Sequence, residues 1–410
     1  MTEWKTYKIG NIIDEIAMGP FGSNIKVDNF IDFGVPVLNG ANLQGFKLKE
    51  ESFNYVSSQK ADSLGKANAY RGDIVITHRG TLGQIVYIPN DSQFDRYIIS
   101  QSQFRVRLNS QYVLPEYFVY YFHTRIGQHK MLMNASQVGV PALARPTSTF
   151  KEITIELPPL EEQRRLAGIL GAIDDKIENN RRINSNLELQ AQALFEEWLC
   201  KVNTIKGTFN DIIDATLAGD WGQETLQGNY THEVYCIRGA DIPALRNGDK
   251  GKMPIRYILE KNYLVKQLRA NDIVVEISGG SPTQSTGRVC MITKSLLDRL
   301  GNDVVCTNFC RAITPKNGYA IFIFLYWQML YNKNTMFSYE NGTTGIKNLN
   351  IADLISKEPI NVPKQEDVDK LNVVLQPIYD QIYVNGLQNE TLATLRDTLL
   401  PKLMNGEIKM

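Results

Sequence analysis

Two ladders of apolar residues, with steps of alternately four and three positions, are the strongest pattern along this chain. Such spacing keeps the side chains on one face of a helix and is typical of a coiled-coil seam. Each ladder predicts a helix of about 40 residues, roughly 60 Å long at the rise of an α-helix. The first ladder comprises Leu166, Leu170, Ile173, Ile177, Asn180, Asn184, Leu187, Ala191, Leu194 and Trp198, and the second comprises Leu371, Leu375, Ile378, Ile382, Asn385, Asn389, Leu392, Arg396, Leu399 and Leu403.

Asparagines occupy the same two steps in the middle of both ladders. If the helices pack antiparallel, Asn180 can meet Asn389 and Asn184 can meet Asn385. A buried asparagine in a seam costs stability but fixes the register of the helices. The simpler alternative is that the helices are solvated here and the amides are exposed. The coincidence of both steps favours a buried polar layer that sets the register.

Short β-like runs and polar turns fill the segment before each ladder. In the first half, apolar runs alternate with loops rich in Gly, Asn and Ser, which is typical of a mixed, turn-rich domain. A helical patch rich in aromatic residues follows near 115–133, with a counterpart near 319–331. Proline precedes each ladder (Pro158, Pro159 and Pro363) and acidic residues follow it, which suits the start of a helix.

The second half of the chain repeats the first. The motif Gly40-Ala41-Asn42-Leu43 matches Gly239-Ala240-Asp241-Ile242 at an offset of 199 residues. This period is too long for a solenoid, whose units run to about 50 residues. The sequence therefore predicts an α+β protein with a pseudo-twofold internal repeat, in which two mixed α/β domains are joined by two long antiparallel coiled-coil helices. The predicted boundaries are 1–157, 158–200, 201–362 and 363–410.

Composition narrows the class of protein. A hydrophobic content of 43% over 410 residues supports two domains with real cores. We see no signal peptide, and the longest apolar stretch is too short for a membrane helix of about 20 residues. Five irregularly placed cysteines fit a reducing compartment, so we expect a cytoplasmic protein without a metal site.

Charge is distributed unevenly although the net charge is zero. Residues 1–159 carry 16 Lys/Arg against 14 Asp/Glu, and residues 201–363 carry 18 against 15. The segments 160–200 and 364–410 carry 5 against 8 and 5 against 7. The domains are thus mildly positive and the helices negative, which favours a phosphate-facing surface on the domains.

Catalytic motifs are missing from the sequence. There is no phosphate-binding Gly-x-x-x-x-Gly-Lys-Ser/Thr loop, no Gly-x-Gly-x-x-Gly after a strand and no Asn/Asp-Pro-Pro-Tyr/Phe site of adenine methyltransferases. The histidines His78, His123, His129 and His232 are scattered and have no evident carboxylate or nucleophile partner. We therefore predict no catalytic residue and no cofactor bound by this chain.

Polar loops that recur in both halves are the candidates for binding. Gln, Asn, Arg and Ser/Thr side chains read base edges or hold phosphates. Ordinary solvated loops are the simpler alternative, but different side chains at matching positions favour one scaffold with two binding specificities. The predicted DNA-contacting residues are Lys26, Arg79, Thr81, Gln84, Gln101, Ser102, Gln103, Asn134, Ser136 and Gln137 in the first half, and Ser278, Ser281, Thr283, Gln284, Ser285, Arg288, Thr307, Asn308, Asn341, Thr343, Thr344 and Lys347 in the second.

The helical segments carry a family resemblance. The stretch that begins Leu157-Pro158-Pro159-Leu160-Glu161-Glu162-Gln163 and continues to Trp198 closely resembles the central helical region of specificity subunits of type I restriction–modification systems. The stretch 394–408 resembles the distal helical region of the same subunits. The segment before the second ladder, residues 362–367, departs from the fuller Pro-Pro-Leu-x-Glu-Gln form that precedes the first ladder.

The resemblance implies a function for the whole chain. Each domain would be a target-recognition domain for one half of a split double-stranded DNA target, and the helices would set the gap between the halves. Two modification (methyltransferase) subunits would supply S-adenosylmethionine chemistry at adenine N6, and restriction or translocase subunits that use ATP and Mg²⁺ could join. The family subunit has no active site of its own.

The alternatives differ in class. One is a coiled-coil protein–protein adaptor without DNA readout, and another is an enzyme of unrecognised fold with its active site in the loops. A third, within the family, is an orphan or phase-variable subunit that assembles with a shared partner.

Overall fold

The computed structural model describes residues 4–136, 139–281, 283–301, 303–342 and 347–408. Contacts divide the chain into two compact units. Unit 1 comprises the residues up to Asp174 together with those from Thr394 onward, and unit 2 comprises residues 175–393. Each unit therefore contains one of the repeated domains and a part of each long helix.

Two antiparallel or mixed sheets build the domain of unit 1. A four-stranded antiparallel sheet has the order Ile13–Met18, Gln103–Leu108, Ile74–Thr77 and Ile85–Tyr87. A five-stranded sheet has the order Phe30–Ile31, Asn54–Val56, Val35–Val37, Arg96–Ile98 and Asn68–Tyr70. Two further strand pairs are Lys5–Lys8 with Thr154–Leu157 and Ala135–Ser136 with Ala142–Leu143.

The aromatic patch of the first half forms two helices instead of one. They are Pro115–His123 and Arg125–Leu132, and the shorter helices of this domain are Ser58–Ser63 and Pro146–Glu152. The break lies at Thr124, whose backbone is extended and whose hydroxyl accepts a hydrogen bond from Gly127 N, so it caps the second helix. All six residues from Tyr117 to Phe122 are buried, which anchors the first helix in the core of unit 1.

Unit 2 repeats the four-stranded sheet with the same strand order. That order is Ile213–Ala218, Cys310–Pro315, Ile273–Glu276 and Val289–Met291. The remaining strands form the groups Ile255–Leu259, Tyr230–Ile237 and Asp303–Cys306; Ser278–Gly279, Lys347–Leu349 and Glu340–Asn341; and Thr204–Gly207 with Ile360–Pro363. The helices are Ile242–Arg246, Glu260–Lys266, Lys294–Leu300, Ala320–Asn332 and Ile351–Lys357. The shared strand order confirms the internal repeat.

The two ladders form the two longest helices described. The central helix is Leu160–Lys201, and the distal helix is Gln365–Met404. Both have acidic residues in the first turn and lysine in the last, which suits the helix dipole. Within unit 2 they pack antiparallel, since Asn180 contacts Asn389 and Asn184 contacts Asn385. The predicted fold class, two mixed domains with two long packed helices, is confirmed.

The seam departs from the predicted ladder towards the end of the central helix. Leu194 is 42% exposed, whereas its neighbour Phe195 is fully buried. The centre of the Phe195 ring lies 5.6 Å from the centre of the Phe322 ring and 6.3 Å from that of Tyr326. Both partner rings belong to the core of the second domain. The strict seven-residue ladder is wrong here because an unsupercoiled helix turns every 3.6 residues, and this part packs against a domain as well as the other helix.

Candidate nucleic-acid interface

Backbone hydrogen bonds bring the three polar loops of unit 1 together. His78 N donates to Ser102 O at 2.8 Å, and Leu143 N donates to His78 O at 2.9 Å. Gly80 N donates to Pro141 O at 2.8 Å. We call the residues 77–84, 100–103, 134–136 and 139–143 the first loop cluster. Its main chain fixes the loops, so their side chains are left to define a surface.

Unit 2 repeats this arrangement. Ile277 N donates to Phe309 O at 2.9 Å, and Leu349 N donates to Ile277 O at 2.8 Å. Ser278 pairs with Asn348 in a short antiparallel ladder, and their side chains also contact each other. We call residues 277–281, 283–288, 307–309, 340–342 and 347–349 the second loop cluster. In both units a residue near the start of the first loop donates its backbone N–H to the second loop, and its carbonyl oxygen accepts a hydrogen bond from the third loop.

A glycine allows a fourth segment of the chain to pack closely against each loop cluster. Gly19 N donates to Gln103 O at 2.8 Å, and a Cβ built at Gly19 would lie 1.9 Å from Ser100 O. In unit 2, a Cβ at Gly219 would lie 1.9 Å from Thr307 O. Only glycine permits this approach of two main chains. We did not predict this segment, although the repeated Gly-x-aromatic-Gly motif at 19–22 and 219–222 could have revealed it.

Ten of the predicted DNA-contacting residues are exposed in the structure. Among the residues that the structure describes, no carboxylate forms an ion pair with Arg79 or Lys26. These two cations are therefore available to phosphates. Direct DNA contact by this set stays a prediction. The exposed residues are Lys26, Arg79, Thr81, Gln101, Asn134 and Ser136 in unit 1 and Thr283, Gln284, Asn308 and Asn341 in unit 2.

Half-buried members of the set are held by the fold. Gln84 Nε2 donates to Gly40 O at 3.0 Å, Arg288 Nε donates to Glu276 at 2.8 Å, and Lys347 pairs with Glu340 at 3.0 Å. These bonds orient the side chains and reduce their freedom to contact a ligand. The remaining half-buried members are Ser102, Ser278 and Ser281.

Three predicted DNA-contacting residues lie inside the domains. Gln103, Ser285 and Thr307 are buried, so their placement contradicts direct contact with a ligand at the surface. Gln103 Oε1 accepts a hydrogen bond from Ser100 N at 2.8 Å, which shapes the second loop from within. Polarity alone misled the prediction, because a buried amide can serve the backbone as well as solvent. Gln137, Thr343 and Thr344 lie outside the described residues.

Two histidines have roles that the sequence did not indicate. His78 bonds to Gln101 O at 3.1 Å, and burial lowers its pKa, so the neutral ring joins two loops of the first cluster. His232 lies 2.6 Å from Glu260 and 2.7 Å from Asp303, one carboxylate on each ring nitrogen. The prediction that it lacks a carboxylate partner is therefore wrong. Burial by itself lowers the pKa of His232, but the hydrogen bonds with these carboxylates outweigh it and raise that pKa.

The four helix asparagines form a buried layer within unit 2. Asn180 Nδ2 donates to Asn389 Oδ1 at 2.9 Å, and Asn385 Nδ2 donates to Asn184 Oδ1 at 2.7 Å. All four are buried. These amide hydrogen bonds can form only in one register of the helices. Their control of the register stays a prediction.

The same layer holds a loop of the second domain. Asn184 Nδ2 donates to Asn247 O and to Ile382 O, both at 2.9 Å. Gly248 follows in the left-handed conformation, and a Cβ built at Gly386 would lie 1.9 Å from its carbonyl oxygen. Residues 246–249 and the helix residues that they contact, Asn184 and Gly386, form a site that we call the helix seat. This contact was not predicted from the sequence, although a glycine inside a helical pattern is a signal of close approach.

Groups suited to a metal or a membrane are not found in the part of the chain that the structure describes. No set of three or more His, Cys, Asp or Glu side chains is placed to hold a metal ion there. None of the helices described has both the length and the apolar character needed to cross a bilayer.

Two similar domains carry matched loop clusters with different loop side chains, an arrangement suited to the binding of two related ligands. Comparison with known proteins identifies the ligand class. Residues 1–189 and 238–391 match the family model of the type I restriction modification DNA specificity domain. Because the match covers most of the chain, the protein belongs to this family. It is a DNA-specificity subunit of a type I restriction–modification system, it recognises the DNA target, and it is not an enzyme.

Relatives and a solved structure agree with the assignment. The chain is 25% identical to the type I restriction enzyme MjaIX specificity subunit of Methanocaldococcus jannaschii, over 100% of this chain and 94% of the relative. It is 23% identical to the HindI specificity subunit of Haemophilus influenzae, over 100% of both chains. The fold is similar to that of the type I restriction–modification S subunit from M. genitalium, with a TM-score of 0.53, 16% identity and coverage of 98% and 96%.

Proposed function

We propose that each loop cluster contacts one half of a bipartite double-stranded DNA target. The observation that carries this proposal is the repeated hydrogen-bond pattern of the two clusters, which presents different side chains from one main-chain frame. Arg79 and Lys26 supply charge for phosphates, and the exposed amides of Gln101, Asn134 and Asn308 suit base edges. Two half-sites of different sequence are the expected result.

The long helices set the gap between the half-sites in this proposal. Each helix begins in one compact unit and ends in the other, so its length limits where the two clusters can be presented. The buried asparagine layer would keep the helices in one register. A heptad added to both helices, at 174/175 and at 393/394, leaves the contacts inside each unit unchanged. The added rise of about 10 Å corresponds to about three base pairs.

Two modification subunits are the proposed partners of the helices. The distal helix exposes Val373, Val374, Val384 and Leu387, whereas its opposite face is buried against the central helix and the second domain. Exposed apolar side chains along a helix of unit 2 fit a protein partner better than solvent. The modification subunits would bind S-adenosylmethionine and methylate adenine N6 in the cytoplasm. Restriction or translocase subunits, with ATP and Mg²⁺, could join the same complex.

The decisive experiment is methylation mapping. This chain would be co-expressed with the modification subunit encoded beside it, and N6-methyladenine would be mapped across the host genome by single-molecule sequencing. A new split motif that depends on this chain is the expected result. Unchanged methylation from an assembled complex would contradict the proposal.

Two variants separate the parts of the proposal. Exchange of residues 1–150 for the matching domain of a relative should change one half-site and keep the other. The double heptad insertion should change the gap and keep both half-sites. Changed half-sites with an unchanged gap would contradict the role of the helices without contradicting DNA recognition by the loops.

A further inference from the structure

An aromatic turn lies beside each loop cluster. In unit 1 it is Gly19-Pro20-Phe21-Gly22, and in unit 2 it is Gly219-Asp220-Trp221-Gly222, at an offset of 200 residues. A Cβ built at Gly22 would lie 2.3 Å from Gln101 Oε1, so this turn lies directly against an exposed side chain of the first loop cluster. Neither ring belongs to the predicted DNA-contacting set.

The two rings differ in how they are covered. Trp221 is 37% exposed, and the Arg256 guanidinium lies over it at 3.7 Å from the ring centroid. Arg256 in turn pairs with Glu224 at 3.1 Å. Phe21 is 83% exposed, and no ring or cation among the described residues packs against it. The same position thus carries a covered ring in unit 2 and a bare ring in unit 1.

The backbone holds Phe21 in a defined place. Pro20 before it is buried, Asn24 N donates to Phe21 O at 2.8 Å, and Ile25 packs on a core cluster of the domain. A ring on a fixed turn loses little conformational freedom when it is covered by a ligand. The exposed position of Phe21 is therefore suited to binding.

The surroundings favour DNA as the ligand of this ring. Arg79 and Lys26 are exposed without a carboxylate partner among the described residues, and Gln101 lies against the turn. Cations draw the DNA backbone to the surface. The apolar group that a base pair presents in the major groove is the C5-methyl of thymine, and phenylalanine is one of the side chains that contact it.

We propose that Phe21 contacts the C5-methyl group of a thymine in the half-site recognised by the first domain. The inference rests on the proposed function of the first loop cluster, and it adds a residue that reads sequence by apolar contact. Phe21 would discriminate a thymine from the other bases at one position, beside the hydrogen-bonding side chains of the loops.

The chain offers a matched control for Phe21. Phe33 is 86% exposed in the same domain. Its turn lies between the strands Phe30–Ile31 and Val35–Val37, where a Cβ at Gly34 would meet Val56 O, not the loop cluster. The variants Phe21→Ala and Phe33→Ala therefore remove the same exposed ring from two different surfaces.

The test measures binding of the assembled methyltransferase complex to duplexes that carry its mapped motif. Thymines of the first half-site are replaced one at a time by deoxyuridine, which lacks only the methyl group. At one position the replacement should weaken binding by wild type and Phe33→Ala about fourfold, the value of one buried methyl group. Phe21→Ala should weaken binding to the normal duplex about tenfold or more and should no longer respond to deoxyuridine at that position.

Three results would overturn the inference. They are equal binding by Phe21→Ala and Phe33→Ala, an unchanged deoxyuridine response in Phe21→Ala, and loss of complex assembly in Phe21→Ala, which would place the ring on a modification subunit. A wild-type complex that binds no specific duplex would contradict the proposed function itself, whatever the variants do.

Discussion

Replacement of Gly386 by alanine tests the helix seat. In a free helix this change would be favourable, because alanine is preferred over glycine by about 1 kcal/mol. At Gly386 the new Cβ would lie 1.9 Å from Gly248 O and 2.5 Å from Gly248 C. Both atoms belong to the main chain, so no side-chain rotation can relieve the overlap. The loop of the second domain must move away from the helix.

The cost of that movement follows from the bonds that hold the loop. Arg299 Nη1 donates to Gly248 O at 2.6 Å, and Asn184 Nδ2 donates to Asn247 O at 2.9 Å. A carbon–oxygen contact needs about 3.3 Å, so the loop must retreat by roughly 1.4 Å and stretch both bonds. Their loss costs about 2–4 kcal/mol, since one donor is charged. After the helix gain of about 1 kcal/mol, we expect Gly386→Ala to destabilise unit 2 by about 1–3 kcal/mol.

The control has the opposite expected sign. Gly168 and Gly171 lie in the central helix, and a Cβ at either position meets nothing within 4 Å. Gly171→Ala should therefore stabilise the chain by about 0.5–1 kcal/mol. Thermal unfolding of the full chain should show a lower midpoint for Gly386→Ala and a higher one for Gly171→Ala. An increase in both midpoints would refute the close contact between Gly248 and the distal helix.

Three further predictions concern stability. His232 contributes stability below the unfolded histidine pKa of about 6.5, and this contribution is lost as pH rises through its raised folded pKa. The midpoint advantage of wild type over His232→Gln should therefore shrink as pH rises above about 6.5, and a constant difference would contradict it. Arg396→Met leaves half-buried Asp174 with the Tyr120 hydroxyl but without its 2.7 Å partner Arg396, and should destabilise unit 1 by about 2 kcal/mol. Adding Asp174→Asn should restore most of the loss in a denaturation curve. Phe195→Ala should cost about 3–5 kcal/mol and Leu194→Ala about 0.5 kcal/mol, and equal losses in urea unfolding would contradict the drift of the seam.

The periodic parts of the fold were predictable because their signals are local. A 4-3 ladder over many heptads specifies a helix and its buried face, and the matching motifs at 40–43 and 239–242 reveal the repeat. The prediction failed where a second partner competes with the seam, as at Leu194 and Phe195. The three polar loops of each half were also found, because turn residues and matching positions mark them without any knowledge of tertiary contacts.

The parts that were not predicted depend on distant residues. His232 binds carboxylates that are 28 and 71 residues away, so its charge could not be inferred from its neighbours in sequence. Gln101 lies in the turn before a strand and Gln103 is the first residue of that strand, so the exposure of each amide depends on where the strand begins. The contact of Gly248 with Gly386 joins a loop to a helix across more than a hundred residues, so no local pattern in the sequence predicts it.

Main-chain hydrogen bonds hold the loops in place while the exposed side chains differ, and this separation of roles explains how one fold can serve two DNA sequences. Several bonds that assemble the first loop cluster, such as His78 N to Ser102 O, use only backbone atoms, and so does the matching bond from Ile277 N to Phe309 O in the second cluster. Exchange of an exposed side chain on these loops leaves those bonds intact. A change at Gly19 does not, because any Cβ there would meet the carbonyl of Ser100. Under the proposed function, exposed side chains such as Arg79 can therefore be exchanged without loss of the domain, whereas Gly19 cannot be replaced without displacing the main chain of Ser100.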